Sequence, residues 1–136
     1  AKPIAKIASG GELSRIMLAI QTVLSAHDDL DTMIFDEVDT GISGSAAQKV
    51  GLKLHEVSRY AQVICITHLA QIACLADYHL LIQKQVTENK TYTQVIPLSK
   101  EAQIKEIARM IGGQAITPLL LQNAQEMIDS AKQLKS

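Results

Sequence analysis

The sequence has no excess of basic residues, only two cysteines and no long apolar run. Its 13 Lys and Arg against 14 Asp and Glu give a formal net charge of −1, so no overall basic field favours nucleic acid as a partner. No apolar run approaches the length needed to cross a bilayer, and the first residues lack the apolar core of a signal peptide. We therefore expect no membrane partner.

Cys65 and Cys74 lie in apolar surroundings and lack the spacing of metal ligands. This pattern predicts buried, reduced thiols in a cytoplasmic protein. With 136 residues, of which 47% are hydrophobic, the sequence is long enough for one domain with a real core. Since no repeat, linker or low-complexity segment interrupts it, we expect residues 1–136 to form a single domain.

Hydrophobic periodicity predicts an α/β fold. The short apolar runs 32–35 and 62–66 are predicted to be parallel strands, buried on both faces. Between them we expect a helix that ends near residue 59 and begins with a capping box of Ser45 and Gln48. This strand–helix–strand unit brings the carboxyl ends of both strands to one edge of the sheet.

The second half of the chain predicts a β-hairpin of residues 78–84 and 91–97. The other segments expected to be helical are residues 10–26, residues 69–75, a helix that is capped by Ser99 and stopped by Gly112 and Gly113, and a last helix that starts at Pro118.

The start of the first helix is the most informative stretch. Ser9 followed by Glu12 is a capping box, and Gly10 and Gly11 remove side-chain bulk where free N–H groups and a partial positive charge would meet an anion. This arrangement suits a phosphate. An ordinary amphipathic helix with a cap explains these residues equally well, given the apolar stripe Leu13, Ile16, Met17, Ile20 and Leu24.

Three acidic residues and a histidine follow the predicted strands. Asp36 and Glu37 end the first strand, where open α/β sheets bind their ligands; Asp36 could hold Mg²⁺ and Glu37 could act as a base. His68 ends the second strand and could bond a phosphate or a water. Considered separately, two exposed carboxylates, a structural histidine and a turn-forming Asp39 remain open alternatives.

Taken together in chain order, these residues resemble the motifs of ABC-type ATPases. Residues 9–12 resemble the signature motif and residues 33–37 the Walker B strand, while Asp39 resembles the D-loop aspartate and His68 the switch histidine. No single piece is as specific as the joint match.

The individual residues in and around these motifs are similar to those of the RecN branch, the bacterial SMC-like ATPases of recombinational double-strand-break repair. Residues 8–15, 35–44 and 64–71 carry this likeness, which covers essentially the whole chain. Transporter ATPases usually have Pro and Leu where this sequence has Val38 and Ala8. Ala70 is a departure, because the branch often has Pro at that place.

The resemblance implies the C-terminal lobe of an ABC/SMC-type ATPase head that works with ATP and Mg²⁺. In such a head Asp36 contacts Mg²⁺, Glu37 activates the attacking water and His68 approaches the γ-phosphate. The G-x-x-x-x-G-K-[S/T] loop is absent, so we expect the Walker A lobe elsewhere in the same protein and no activity from this chain by itself.

The resemblance further implies that the signature residues act on a second head. Ser9, Gly10, Gly11 and Glu12 would serve the nucleotide held by a partner copy, and Asp39 would help communication across that interface. ATP-dependent homodimerisation, DNA engagement by the full assembly and a cytoplasmic location at the nucleoid follow from the same likeness.

Two other classes of function remain. A metal-dependent nuclease or phosphotransferase would use Asp36, Glu37, Asp39 and His68 as ligands, but it leaves the stretch 9–12 unexplained. A non-catalytic dimerisation module is disfavoured by the presence of Glu37, because a degenerate site has no chemical need for a base.

Overall fold

The computed structural model describes residues 9–24, 30–87 and 90–135. The elements in chain order are α1 (Gly10–Leu24), β1 (Thr32–Phe35), α2 (Gly44–Val57), β2 (Gln62–Cys65), α3 (Ala70–Ala73), β3 (Leu80–Thr87), β4 (Lys90–Pro97), α4 (Lys100–Gly112) and α5 (Pro118–Lys135). The α/β class is confirmed. The predicted end of the first helix at residues 25–26 lies outside the described residues.

β1 and β2 form the parallel pair that the sequence predicts. Phe35 pairs with Cys65 at the carboxyl ends of the strands, and the Ile66 amide donates to the Phe35 carbonyl at 3.0 Å. The residues that follow each strand therefore start from the same edge. The second sheet is the predicted hairpin, in which β3 and β4 pair antiparallel with Leu81 opposite Ile96.

Two hydrophobic clusters support these elements. The first packs α1, α2 and α3 against one face of the parallel pair, and its buried residues are Leu18, Met33, Phe35, Val38, Ala47, Leu54, Val57 and Ile72. The second joins α3 to α4 and α5, and its buried residues are Ala70, Ala73, Cys74, Leu75, Ile107, Ala108, Ala124, Ile128 and Ala131.

The prediction that both strands are buried on both faces is wrong. Met33 and Phe35 are buried, but Ile34 between them is 67% exposed and Ile64 on β2 is 43% exposed. The helices cover one face of the pair, and no element in the described ranges covers the other. The apolar runs therefore indicate that both faces of the β1–β2 pair are suited to burial, whereas the described part of this chain buries only one of them.

The apolar stripe predicted on α1 is also exposed. Met17 is 52% exposed and Ile20 is 47% exposed, while Leu18, which lies outside that stripe, is buried in the first cluster. Together with Ile34 and Ile64 these side chains leave apolar surface in water, which is typical of a surface that another chain or segment covers.

The caps were predicted correctly at α4 and wrongly at α2. The Ser99 hydroxyl accepts from the Ala102 amide at 3.2 Å, as expected. At α2 the N-cap is Ser43, its side chain makes no capping bond, and Ser45 lies inside the helix. Gly44 adopts a φ of +54°, and the helix begins two residues earlier than the capping pattern suggests.

The buried face of α4 provides a test of the second cluster. Ile107 is fully buried, whereas Ile111 on the same helix is 42% exposed. We expect Ile107→Ala to lower the free energy of unfolding by about 2–5 kcal/mol, because it leaves a cavity. The matched variant Ile111→Ala should cost below about 1 kcal/mol. Urea unfolding of both variants makes the comparison, and equal losses would contradict the assigned core.

Candidate functional site

A reciprocal capping box starts α1. The Ser9 amide donates to Glu12 Oε2 at 2.7 Å, the Ser9 hydroxyl donates to the same oxygen at 3.0 Å, and the Glu12 amide donates back to Ser9 Oγ at 3.3 Å. The backbone hydrogen bond from Ser9 is the main reason that the pKa of the Glu12 carboxyl lies below its usual value. The box fixes the start of α1, where Ser9, Gly10 and Glu12 are exposed and Gly11 is buried.

Asp36 and Glu37 leave β1 in an unusual backbone conformation. The side chains are exposed, and Asp36 Oδ1 accepts the Glu37 amide at 2.8 Å. Glu37 has a φ of +58°, in the left-handed region that residues other than glycine rarely adopt. A carboxylate has two oxygens with several acceptor sites, so this one bond leaves Asp36 able to hold a cation such as Mg²⁺, directly or through water.

The start of α1 packs directly on the loop that carries Glu37. A Cβ atom on Gly10 would collide with Glu37 Oε2, and one on Gly11 would lie 2.8 Å from the Glu37 carbonyl oxygen. Side chains at these two positions would therefore push against Glu37 or its backbone. The glycines predicted to make room for an anion also make room for this loop.

Sequence analysis did not identify the residues that fasten α1 to this loop. The Ser14 hydroxyl donates to the Asp36 carbonyl at 2.7 Å, and Arg15 Nη1 donates to the carbonyls of Val38 and Thr40 at 3.3 Å and 2.7 Å. Both residues lie in the stretch 8–15 that carries the RecN likeness, one helical turn after the glycines, but that likeness gave neither of them a role. Their partners are backbone carbonyls, which no side-chain pattern reveals.

Asp39 joins the loop after β1 to the end of β2. Its side chain is buried, and one oxygen, Oδ2, accepts the Thr67 hydroxyl at 2.6 Å and the His68 amide at 2.9 Å. The same oxygen lies 3.0 Å from Nδ1 of the exposed His68 ring. Thr67 was not singled out in the sequence, although it directly precedes the predicted histidine.

The environment of Asp39 favours its charged form. Burial raises the carboxyl pKa, but the hydrogen bonds from Thr67 and the His68 amide, together with the His68 ring, bring it below the usual value. The pKa of the neighbouring Cys65 thiol is raised to about 12. Burial of the thiol is the main cause, and the negative charges of Asp39 and Asp36 add to it. Cys65 therefore stays protonated beside the site.

The site residues thus fall into two linked groups at one edge of the parallel pair. The start of α1 meets Glu37, and Asp39 meets His68. Within residues 9–24, 30–87 and 90–135, no group of three or more His, Cys, Asp and Glu side chains is arranged to hold a metal ion. In this part of the chain, the four side chains that the nuclease alternative names as ligands are not assembled into a metal site.

Nearly the whole chain is similar to bacterial DNA repair proteins named RecN. It is 50% identical over 135 residues to RecN of Bacillus subtilis, 50% over 128 residues to RecN of Haemophilus influenzae and 42% over 132 residues to RecN of Streptomyces coelicolor. These matches cover 94–99% of the chain but only 23% of each relative. The chain therefore spans about a quarter of the length of these proteins.

The fold of the chain is shared with a solved structure. A solved structure described as "Structural biochemistry of ATP-driven dimerization and DNA stimulated activation of SMC ATPases" matches with a TM-score of 0.56 and 23% identity, over 81% of this chain and 66% of that one. No family model matches the sequence. None of the helices in the described part of the chain is long and apolar enough to cross a membrane.

Asp39 makes the stability of this region dependent on pH. Because its folded-state pKa lies below the ordinary value of 3.8, its contribution is complete above that value and is lost as pH falls through the lowered pKa. We expect Asp39→Asn to lower the free energy of unfolding at pH 7, with the difference from the parent shrinking as pH falls below about 4. Urea titrations across this range test it; a constant difference would contradict the assignment.

Proposed function

Since this chain is related over nearly its whole length to the RecN DNA repair proteins, we propose that it forms one lobe of an ATP-hydrolysing, SMC-type head that acts in DNA double-strand-break repair. The observation that carries the proposal is that two contacts lie at one edge of the parallel pair: the start of α1 lies against Glu37, and Asp39 contacts His68. A head of this kind needs an anion-binding helix start, a metal carboxylate and a base.

In the proposed reaction each residue at the end of β1 has one task. Asp36 holds Mg²⁺, which when bound neutralises charge on the phosphates of ATP. Glu37, one residue further along the chain, orients the attacking water and accepts its proton. The exposure of both side chains supports these roles, because substrate and water must reach them.

In this scheme His68 contacts the γ-phosphate, and Asp39 orients the His68 ring. When Nδ1 of His68 carries the proton that Asp39 Oδ2 accepts, the ring orientation is set and Nε2 is directed away from the carboxylate. The buried position of Asp39 supports a role behind the histidine, while its D-loop resemblance suggests a link to the second head as well.

The signature residues serve a nucleotide bound by a second copy of the head. Ser9, Gly10 and Gly11 would meet its γ-phosphate with a hydroxyl group, backbone N–H groups and the positive end of the helix dipole, while Glu12 holds the helix start in shape. ATP would then stabilise the dimer, because it binds the paired state better than the single head.

The loop that cradles the β- and γ-phosphates must come from another part of the same protein. The exposed apolar side chains of Ile34, Ile64 and Ile66, and those along α1, support the packing of a Walker A lobe against this chain. Because this chain lacks that loop, we propose that it neither holds ATP tightly nor turns it over by itself. DNA would be engaged by the complete assembly in the cytoplasm, at the nucleoid.

The role of Glu37 is tested by Glu37→Gln in the full-length protein. The amide cannot take a proton from water, so we expect kcat for ATP hydrolysis to fall at least about 100-fold while ATP still binds and the nucleotide-bound dimer accumulates. Phosphate release and size-exclusion chromatography with light scattering measure the two effects. Glu56→Gln, on the surface of α2, is the matched control, and ordinary hydrolysis by Glu37→Gln would remove it from the role of base.

The role of the helix start is tested by Ser9→Arg in the full-length protein. A bulky cationic side chain would fill the place where the γ-phosphate binds. We therefore expect a folded monomer that binds ATP but no longer forms a dimer when ATP is added. Ser9→Asn, which retains capping ability without the charge and length, separates helix capping from phosphate contact. ATP-driven dimers of the arginine variant, at the concentration where the parent pairs, would refute the contact in trans.

A further inference from the structure

Glu37 is held from both sides by two consecutive residues of α1. The carbonyl of Asp36, which precedes Glu37, accepts the Ser14 hydroxyl at 2.7 Å, and the carbonyl of Val38, which follows it, accepts Arg15 Nη1 at 3.3 Å. The same Arg15 nitrogen also donates to the Thr40 carbonyl at 2.7 Å. The turn is closed by the Thr40 amide, which donates to the Glu37 carbonyl at 3.0 Å.

These bonds act where the backbone needs support. A φ of +58° is unfavourable for a residue with a side chain and persists only when surrounding contacts enforce it. The bond from Ser14 to the Asp36 carbonyl and the bond from the Thr40 amide to the Glu37 carbonyl fix the two peptide planes that flank Glu37. The Arg15 bonds to the carbonyls of Val38 and Thr40 hold the residues that follow in the same turn. The direction of the Glu37 carboxylate is therefore set by α1 as well as by β1.

We propose that Ser14 and Arg15 are positioning residues for ATP hydrolysis, which keep Glu37 in its left-handed backbone conformation. Their bonds also hold the start of α1 and the loop that carries Glu37 together, so that the two move as one rigid body. The inference rests on the proposed function, and extends it, because the resemblance to ATPases assigns no role to either residue. A partner nucleotide that contacts Ser9 and Gly10 would then act on the same body that carries Glu37.

Ser14 provides the cleaner experiment because its substitution is small. In the full-length protein we expect Ser14→Ala to lower kcat for ATP hydrolysis about tenfold, with KM for ATP changed less than about twofold, since the base is displaced while the nucleotide is held by other residues. Ser14→Thr keeps the hydroxyl group and should restore most of the rate. Thr22→Val, which removes a hydroxyl bonded to the Leu18 carbonyl on the same helix, is the control.

Arg15 provides an independent experiment with its own rescue. Both of its bonds come from one nitrogen, so Arg15→Lys, with a single ammonium group, should retain most of kcat, whereas Arg15→Met, which is long but has no donor, should lose about tenfold. KM for ATP should again change little. Thermal unfolding of every variant separates a displaced loop from a damaged fold.

The outcomes distinguish this inference from the function on which it rests. A parent protein that hydrolyses no ATP would refute the proposed function. A parent that does hydrolyse ATP, with Ser14→Ala and Arg15→Met unchanged in kcat, would refute only the positioning role. A loss of kcat that accompanies lower thermal stability, and that Ser14→Thr and Arg15→Lys do not restore, would also overturn it, because the bonds would then be merely structural.

Discussion

The parallel pairing of β1 with β2 is the constraint on which the site depends. It starts residues 36–39 and residues 66–68 from the same edge, and the buried Asp39 carboxylate then bonds the second group from the first. Burying a carboxylate without partners would be costly, so the three donors from Thr67 and His68 are a condition for this geometry. This edge of the parallel pair is therefore held together by side-chain hydrogen bonds as well as by the backbone hydrogen bonds between β1 and β2.

The helix start and the loop after β1 depend on each other. Glycines at positions 10 and 11 allow α1 to approach Glu37, while Ser14 and Arg15 bond the loop backbone. Close approach and hydrogen bonding together hold a conformation that is unfavourable for a free chain. The same glycines that make room for the loop are those that the signature resemblance relates to phosphate contact.

Local patterns predicted most of the architecture. Apolar spacing and capping residues, which are patterns of nearby residues, predicted the strand 32–35, the parallel pair, the hairpin and the Ser99 cap. Burial was predicted less well, because the exposure of Ile34 and Met17 depends on which element covers a face. The start of α2 was misjudged because Gly44 turned the chain before Ser45 could cap it.

By itself the sequence determined the α/β order, the capping box of Ser9 and Glu12, the acidic end of β1 and the similarity to RecN. Only the tertiary structure decided that Asp39 is buried against Thr67 and His68, that Glu37 takes a left-handed backbone, and that Ser14 and Arg15 bond its loop. The reason is physical. Caps and periodicity act over three or four residues, whereas these bonds join residues more than twenty positions apart, often to backbone atoms that every residue shares.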